Sequence, residues 1–353
     1  MPSSSKTGAT VQSCGATDAA LDPLPSWRWV PYLAVLFIGA WTLVGASSSG
    51  QWGDHFEQFA WAHGVEWGYY KHPPLPTWIL AGTIRLFGPA PDSALLLGAL
   101  CSLGTALFTY RIAFELLGRP LAIVALLCWG LQQPFSNRAY LFNHNTVMML
   151  AVSATAWCLL KALKTPTRFR WWGATGILAG LAMLAKYQSV VPLVGLILAA
   201  WLSGEFASRR SRLGLCGSIM VALAIFMPHV AWVFEHDLTT LAYADQGGRT
   251  LSWAARASGV ASFLAQQVRL LLPSLLFAGF LLALTRPTPA GGLEAGHSRH
   301  SVAGAWLFGL VGFPLLTTVM VPLLLGLELQ NHWGYQALQF AGLWLAWLMR
   351  MRL

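Results

Sequence analysis

About ten stretches of this 353-residue chain run apolar for close to the length of helix that crosses a bilayer, roughly 20 residues. They fall at approximately 30–48, 92–115, 120–135, 146–163, 172–187, 189–204, 213–234, 266–285, 302–326 and 334–350, the third and fifth being short for full spans. In hydrocarbon every backbone N–H and C=O must be paired within the segment, so runs of this kind fold as helices packed against one another. The fold class expected is therefore an all-α polytopic membrane protein. Charge usage agrees: only 10% of residues are charged, against about a quarter in soluble domains.

The net charge of +9 raises the question of nucleic acid, and the distribution of that charge answers it. Arg111, Arg119, Lys161, Lys164, Arg168, Arg170, Arg209, Arg210, Arg212, Arg286, Arg299, Arg350 and Arg352 occupy alternate linkers between apolar runs. Cytoplasmic loops are expected to look like this, whereas a basic face interleaved with stacking aromatics is absent from the pattern. The reading is a multi-pass membrane protein with a cytoplasmic N-terminus and no nucleic-acid partner. Residues 1–27 are poorly patterned and read as a disordered cytoplasmic tail, ahead of one membrane domain over 28–353. They lack a charged segment followed by an apolar one, so the first span serves as an uncleaved anchor. Five scattered cysteines, without a C-x-x-C pair, suggest neither a disulfide framework nor a thiolate metal site.

The other side of the membrane receives 49–91, 136–145, 235–265 and 327–333, and there the polar residues collect. The loop at 49–91 is far longer than a helix connection needs. Its stretches 54–66 and 74–88 read as helices lying at the interface, with Trp52, Trp61, Trp67, Tyr69, Tyr70 and Trp78 suited to headgroup depth. Gly176 and Gly180 form a G-x-x-x-G that lets two helices approach closely.

Several residues admit both a structural and a chemical role. Asp54, three residues before Glu57, fits a capping box, or a general base at the membrane surface. In "GYYKHPPLPTW" (68–78) the prolines enforce an extended entry into the next helix. Lys71 there either snorkels or holds a phosphate, with His72 beside it. "FNHNT" (142–146) opens a span; its amides suit a helix cap or a sugar hydroxyl. Lys186 is an intramembrane cation, a functional-site hypothesis by default, with snorkelling as the alternative. "ELQNHWGYQ" (328–336) brings His332 to the same side. No zinc-type ligand spacing occurs among the histidines; a divalent metal, if one is used, would be held by Asp54, Glu57 and His144.

Taken together, "DHFEQFAWAHGVEWGYYKHPPLPTW" resembles the first exoplasmic loop of family 39 glycosyltransferases. These include the bacterial relatives of dolichyl-phosphate-mannose protein mannosyltransferases and the lipid A aminoarabinose transferases. Asp54 falls on the family's aspartate, and Gly68, Tyr69, Tyr70, His72, Pro73, Pro74 and Leu75 on its "GYYDHPPL"-like string. "GILAGLAMLAKYQSVV" (176–191) resembles a glycine-rich span ending in Lys-Tyr, which carries over Lys186 and Tyr187. "NHWGYQALQF" resembles a later loop. The departures are His55 for a glutamate, Lys71 for the acid before the HPP string, and "NHN" where Pro-Asp is frequent, which puts Asn145 at an acidic position. The chain also ends soon after its last run, where relatives commonly continue.

The resemblance implies a GT-C-like helical bundle of about ten transmembrane helices with interfacial helices in the first exoplasmic loop. It implies a polyprenyl-phosphate-linked sugar as donor, an acceptor that is a glycan, lipid or protein, and inversion at the anomeric carbon. Asp54 is the expected base. Lys71, Lys186 and Arg138 are expected phosphate ligands, with Tyr70, His72, Tyr187, Asn145 and His332 lining the substrate. The alternatives are a transporter or flippase for a lipid-linked or small polar solute, and a catalytically silent scaffold.

Overall fold

The computed structural model describes residues 30–47, 53–136, 138–246, 251–285 and 297–351. The tail at 1–27, Trp52, Arg286 and Arg352 lie outside the described residues. Among those residues the chain is helix and turn, with no strand. Each of the ten apolar runs carries a helix. These are α1 (Val30–Ser47), α4 (Pro91–Leu117), α5 (Arg119–Gly130), α6 (His144–Lys164), α7 (Phe169–Ala185), α8 (Val190–Leu202), α9 (Arg209–Glu235), α11 (Trp253–Leu284), α12 with α13 (His297–Leu307 and Phe313–Leu325, joined by a π-helical turn), and α14 (Tyr335–Leu348). Five segments are long and apolar enough to cross a membrane by themselves: α4, α6, α9, α11 and Val302–Leu325. Two short helices, α2 (Gly53–Ala62) and α3 (Leu75–Phe87), fill the loop after α1, and α10 (Thr239–Gln246) follows α9.

The centre of the bundle is α6. Its sequence is apolar or small all round, and the structure buries it on every side, from Thr146 through Met148, Val152, Ser153 and Ala156 to Leu163. A helix without a polar face can lie only there. Around it pack α4, α7 and α14, while α9 and α11 keep broad apolar surfaces on the outside, including Met220, Phe234, Leu276 and Phe280. The outer end of α6 opens on Asn143, whose side chain accepts from Asn145 N–H and Thr146 N–H at 2.9 and 3.2 Å. Thr146 Oγ1 accepts from Asn143 N–H at 3.0 Å, completing the reciprocal cap. At the opposite end, Lys161 and Lys164 both pair with Glu115 of α4.

The G-x-x-x-G expectation is met at the α7–α9 contact. A Cβ on Gly176 would lie 2.5 Å from the Ser218 carbonyl oxygen, and one on Gly180 would lie 2.9 Å from Ile225 Cβ. Only hydrogen side chains allow the two backbones this approach.

Two expectations need correction. Residues 253–265, read as part of a loop at 235–265, form the first turns of the 32-residue α11. Ser252 caps the helix by accepting from Ala255 N–H at 3.3 Å. Arg256, the charge that interrupts the apolar pattern, donates from Nη1 to the Leu323 and Leu324 carbonyls at 3.1 Å. A cation is well placed at the C-terminal end of α13, where the helix dipole is negative. The run at 120–135 is shorter as a helix than as a sequence pattern: α5 stops at Gly130, and Gln133–Phe135 form a 3-10 turn in which Phe135 stacks on Trp129 at 5.0 Å.

Replacing Gly176 by Leu forces α7 and α9 apart and lowers stability by about 1–3 kcal/mol. Gly173→Ala, whose added Cβ meets nothing within 4 Å, serves as the control. Thermal unfolding of the detergent-solubilised protein reads the difference.

Candidate functional site

At one end of the bundle the loops after α1, α5, α9 and α13 enclose a cavity of about 1000 Å³. Its walls bring together Asp54, Lys71, His72, Arg138, Asn145, Lys186, Tyr187 and His332, which lie far apart in the sequence. Asn143, His144, Gln188, Tyr243 and Glu328 join them, and Val191, Val321, Pro322 and Leu327 form an apolar side.

Asp54 is placed by α2. It sits inside the first helical turn, where a carboxylate is favoured by the helix dipole, and its Oδ2 accepts from Asn143 Nδ2 at 3.1 Å. The capping-box expectation for Asp54 and Glu57 is not met: Asp54 is inside the helix, and Glu57 turns to Lys71. The Lys71 ammonium donates to both Glu57 oxygens at 3.1 and 3.0 Å, with Tyr243 over it at 5.8 Å. Burial alone would lower the Lys71 pKa, but the hydrogen bonds and charge of Glu57 raise it above the ordinary lysine value. One face of α2 is held by Gln58, buried, whose Oε1 accepts from the Thr77 hydroxyl at 2.9 Å and whose amide nitrogen lies 3.4 Å from a His144 ring nitrogen. His55, also buried, accepts from Phe142 N–H at 3.2 Å. These contacts tie α2 to the start of α6.

The extended entry expected of the prolines in the HPP string is not met at Pro74, which caps α3 with helical φ and ψ of −87° and −15°. Pro74 precedes α3 and Pro76 lies in its first turn, where a missing N–H costs nothing. The turn ahead of them closes when Tyr69 N–H donates to the His72 carbonyl at 3.1 Å. Tyr69 stacks on Trp61 at 5.0 Å and its hydroxyl donates to the Gly64 carbonyl at 2.9 Å. His72 lies 4.0 Å from His144, ring to ring. Burial, followed by the charges of Lys186 and Lys71, pushes the His72 pKa down to about 3. The same causes hold His332 at about 4. Both imidazoles are thereby kept neutral at pH 7, and the cations lining the cavity are Lys71, Lys186 and Arg138.

Lys186 follows the last residue of α7, at a break before the 3-10 turn Tyr187–Ser189. Snorkelling is excluded, because the residue is only 8% exposed. Its ammonium donates to Asn145 Oδ1 at 2.7 Å. Asn145 is neutral, so the Lys186 charge is not cancelled by this partner.

The structure does not bring every expected residue to the cavity. Tyr70 stays outside the wall, edge-on to Trp61 and Tyr243 at 5.8 and 5.7 Å. Asp54, Glu57 and His144 do not converge as metal ligands, being committed respectively to Asn143, to Lys71, and to His72 with Gln58. Among the described residues no group of three or more His, Cys, Asp or Glu is placed to hold a metal ion. Sequence reasoning missed His229 of α9, which bonds both Tyr187 and the Trp67 carbonyl. An ionisable residue within an apolar run was the available signal.

A helical bundle with this cleft at one end, five of its segments able to cross a bilayer, is a multi-pass membrane protein. The resemblance read from the first long loop is borne out by comparison with known proteins. Residues 71–232 match the family model described as dolichyl-phosphate-mannose-protein mannosyltransferase. The chain is 29% identical over 220 residues to the lipopolysaccharide core galacturonosyltransferase RgtB of Rhizobium johnstonii, covering 60% of this chain and 42% of that one. Its fold is similar to that of ArnT from Cupriavidus metallidurans, with a TM-score of 0.66 and 17% identity, over 91% of this chain and 60% of ArnT in the crystal structure bound to undecaprenyl phosphate. The apo ArnT structure matches equally, at a TM-score of 0.66 over 92% and 59% of the two chains. The chain thus spans about two fifths of RgtB and three fifths of ArnT.

Asn143→Ala removes the α6 cap and lowers stability by about 1 kcal/mol. Asn143→Ser, which caps but cannot reach Asp54, recovers most of that loss. Thermal unfolding of the two variants separates capping from the contact to Asp54.

Proposed function

We propose that this protein is an integral-membrane glycosyltransferase that moves a sugar from a polyprenyl-phosphate donor to a hydroxyl acceptor, at the outer face of the bacterial inner membrane. The N-terminus is then cytoplasmic and the ten helices are crossings. The observation that carries this reading is the composition of one cleft: an anchored carboxylate, two lysines and an arginine, and an apolar wall. A lipid-linked phosphate has this same division, with its chain in hydrocarbon and its charge at the interface. The family match at 71–232, which takes in Lys71, Asn145 and Lys186, supports the assignment. The ArnT structure bound to undecaprenyl phosphate supports the class of donor.

In the reaction, Asp54 takes the proton of the acceptor hydroxyl as its oxygen attacks the anomeric carbon. The bond from that carbon to the phosphate oxygen breaks, and the electron pair leaves on the polyprenyl phosphate. Lys186 and Lys71 balance the charge that develops there, Lys71 exchanging its Glu57 partner for phosphate. A single displacement inverts the anomeric centre. His72, His332 and Asn145 offer donors and acceptors for sugar hydroxyls. A transporter would carry its ionisable residues near the bilayer midplane at the interface of inverted repeats, whereas here they gather at one end of the bundle.

Sugar transfer in membranes from a polyprenyl-phosphate donor tests the reading. Asp54→Asn lowers the rate by roughly a hundredfold or more at unchanged expression. Lys186→Met loses a similar factor. Equal transfer by wild type and Asp54→Asn removes Asp54 as the base, and solute flux in vesicles without transfer by any donor favours a transporter.

A further inference from the structure

The segments that carry the two lysines have no direct connection along the chain. Lys71 stands in the turn after α2, and Lys186 at the break between α7 and α8. Both segments meet on His229, which is completely buried in α9. Its Nδ1 lies 2.6 Å from the Trp67 carbonyl oxygen and its Nε2 lies 2.7 Å from the Tyr187 hydroxyl. A carbonyl can only accept, so Nδ1 carries the proton, and in the neutral ring Nε2 accepts from Tyr187. The imidazole is packed between Tyr187 and Trp232, at 5.6 and 6.2 Å. Gly68 lies against the same surface so closely that a Cβ there would come within 2.3 Å of the Trp232 ring and 2.9 Å of His229 Cε1.

We propose that His229 is a positioning residue that fixes the separation of Lys71 and Lys186 by clamping the loop of the first to the helix break of the second. The proposal rests on the glycosyltransferase reading, in which those lysines share a donor phosphate. Trp67 is four residues from Lys71 through a turn closed by the Tyr69–His72 hydrogen bond, and Tyr187 is the neighbour of Lys186. Movement of either partner away from the imidazole therefore displaces a lysine.

Two side chains divide the imidazole between them. His229→Asn keeps a donor near the Nδ1 position and loses Tyr187; His229→Gln keeps a group near Nε2 and loses Trp67. Both variants, with Tyr187→Phe, go into nanodiscs for undecaprenyl phosphate binding, transfer kinetics and thermal unfolding. Each variant weakens binding and raises KM by about tenfold, as a lost buried hydrogen bond implies, with kcat less affected. Combining His229→Asn with Tyr187→Phe adds little to either alone, because both remove one bond. In parallel, nitroxide labels at the exposed positions Tyr70 and Val190, in a cysteine-free chain, report the separation of the two segments without any ligand. The distance distribution is narrow with His229 and broad with His229→Asn. An unchanged distribution, or wild-type affinity in His229→Asn with only the unfolding temperature lowered, overturns the clamp. Failure of the wild type to bind undecaprenyl phosphate sinks the donor reading instead, and the label distances still decide the clamp.

Discussion

The amide of Asn143 does two things at once, and the site is built outward from it. Its oxygen caps α6 and its nitrogen donates to Asp54. The cap fixes where the most buried helix of the bundle begins; the second bond fixes a carboxylate of α2 to that starting point. Because Asn145 is held in the same first turn, its side-chain oxygen presents a fixed acceptor to Lys186. One helix terminus thus sets the position of the proposed base and of a proposed phosphate ligand together. Gln58 and His55 reinforce the arrangement from beneath, with buried polar contacts that leave α2 little freedom.

Electrostatics then divides the cleft. Lys71 already has a carboxylate partner in Glu57, while Lys186 has a neutral one in Asn145. A buried ammonium with a neutral acceptor is costly to maintain and is relieved by an incoming anion. Three positions depart from the family 39 pattern that the sequence resembles: His55, Lys71 and Asn145. Each change removes negative charge from the site, which suits a phosphate. The neighbouring imidazoles of His72 and His332 are kept neutral by burial and by those lysines. Environment as well as residue type therefore separates the charged lysines from the neutral imidazoles.

Much of this was legible in the sequence. Every apolar run carries helix, five segments being long and apolar enough to cross a membrane, and Gly176 and Gly180 announced the α7–α9 contact. The HPP string and Asp54 pointed to a loop that lines the cleft. What the sequence did not disclose depended on long-range partners. The capping-box pattern at Asp54 and Glu57 is real as a pattern, but Lys71 and Asn143 compete for those side chains across 14 and 89 residues. The beginning of α11 was hidden by Arg256, a charge that belongs to the terminus of α13. His229 was passed over since one histidine in an apolar run has no periodic signature. Its meaning lies in two bonds that span 162 and 42 residues.

The central claim is that the cleft recognises a lipid-linked phosphate through Lys71 and Lys186. It is tested most directly by competition binding of undecaprenyl phosphate and undecaprenol to the protein in nanodiscs, compared with Lys71→Met/Lys186→Met. The account predicts that the phosphate is required, so that undecaprenol fails to compete and the double variant loses at least about a hundredfold in affinity, as expected for two charged hydrogen-bonding partners. Equal competition by the alcohol, or wild-type affinity in the double variant, would contradict it.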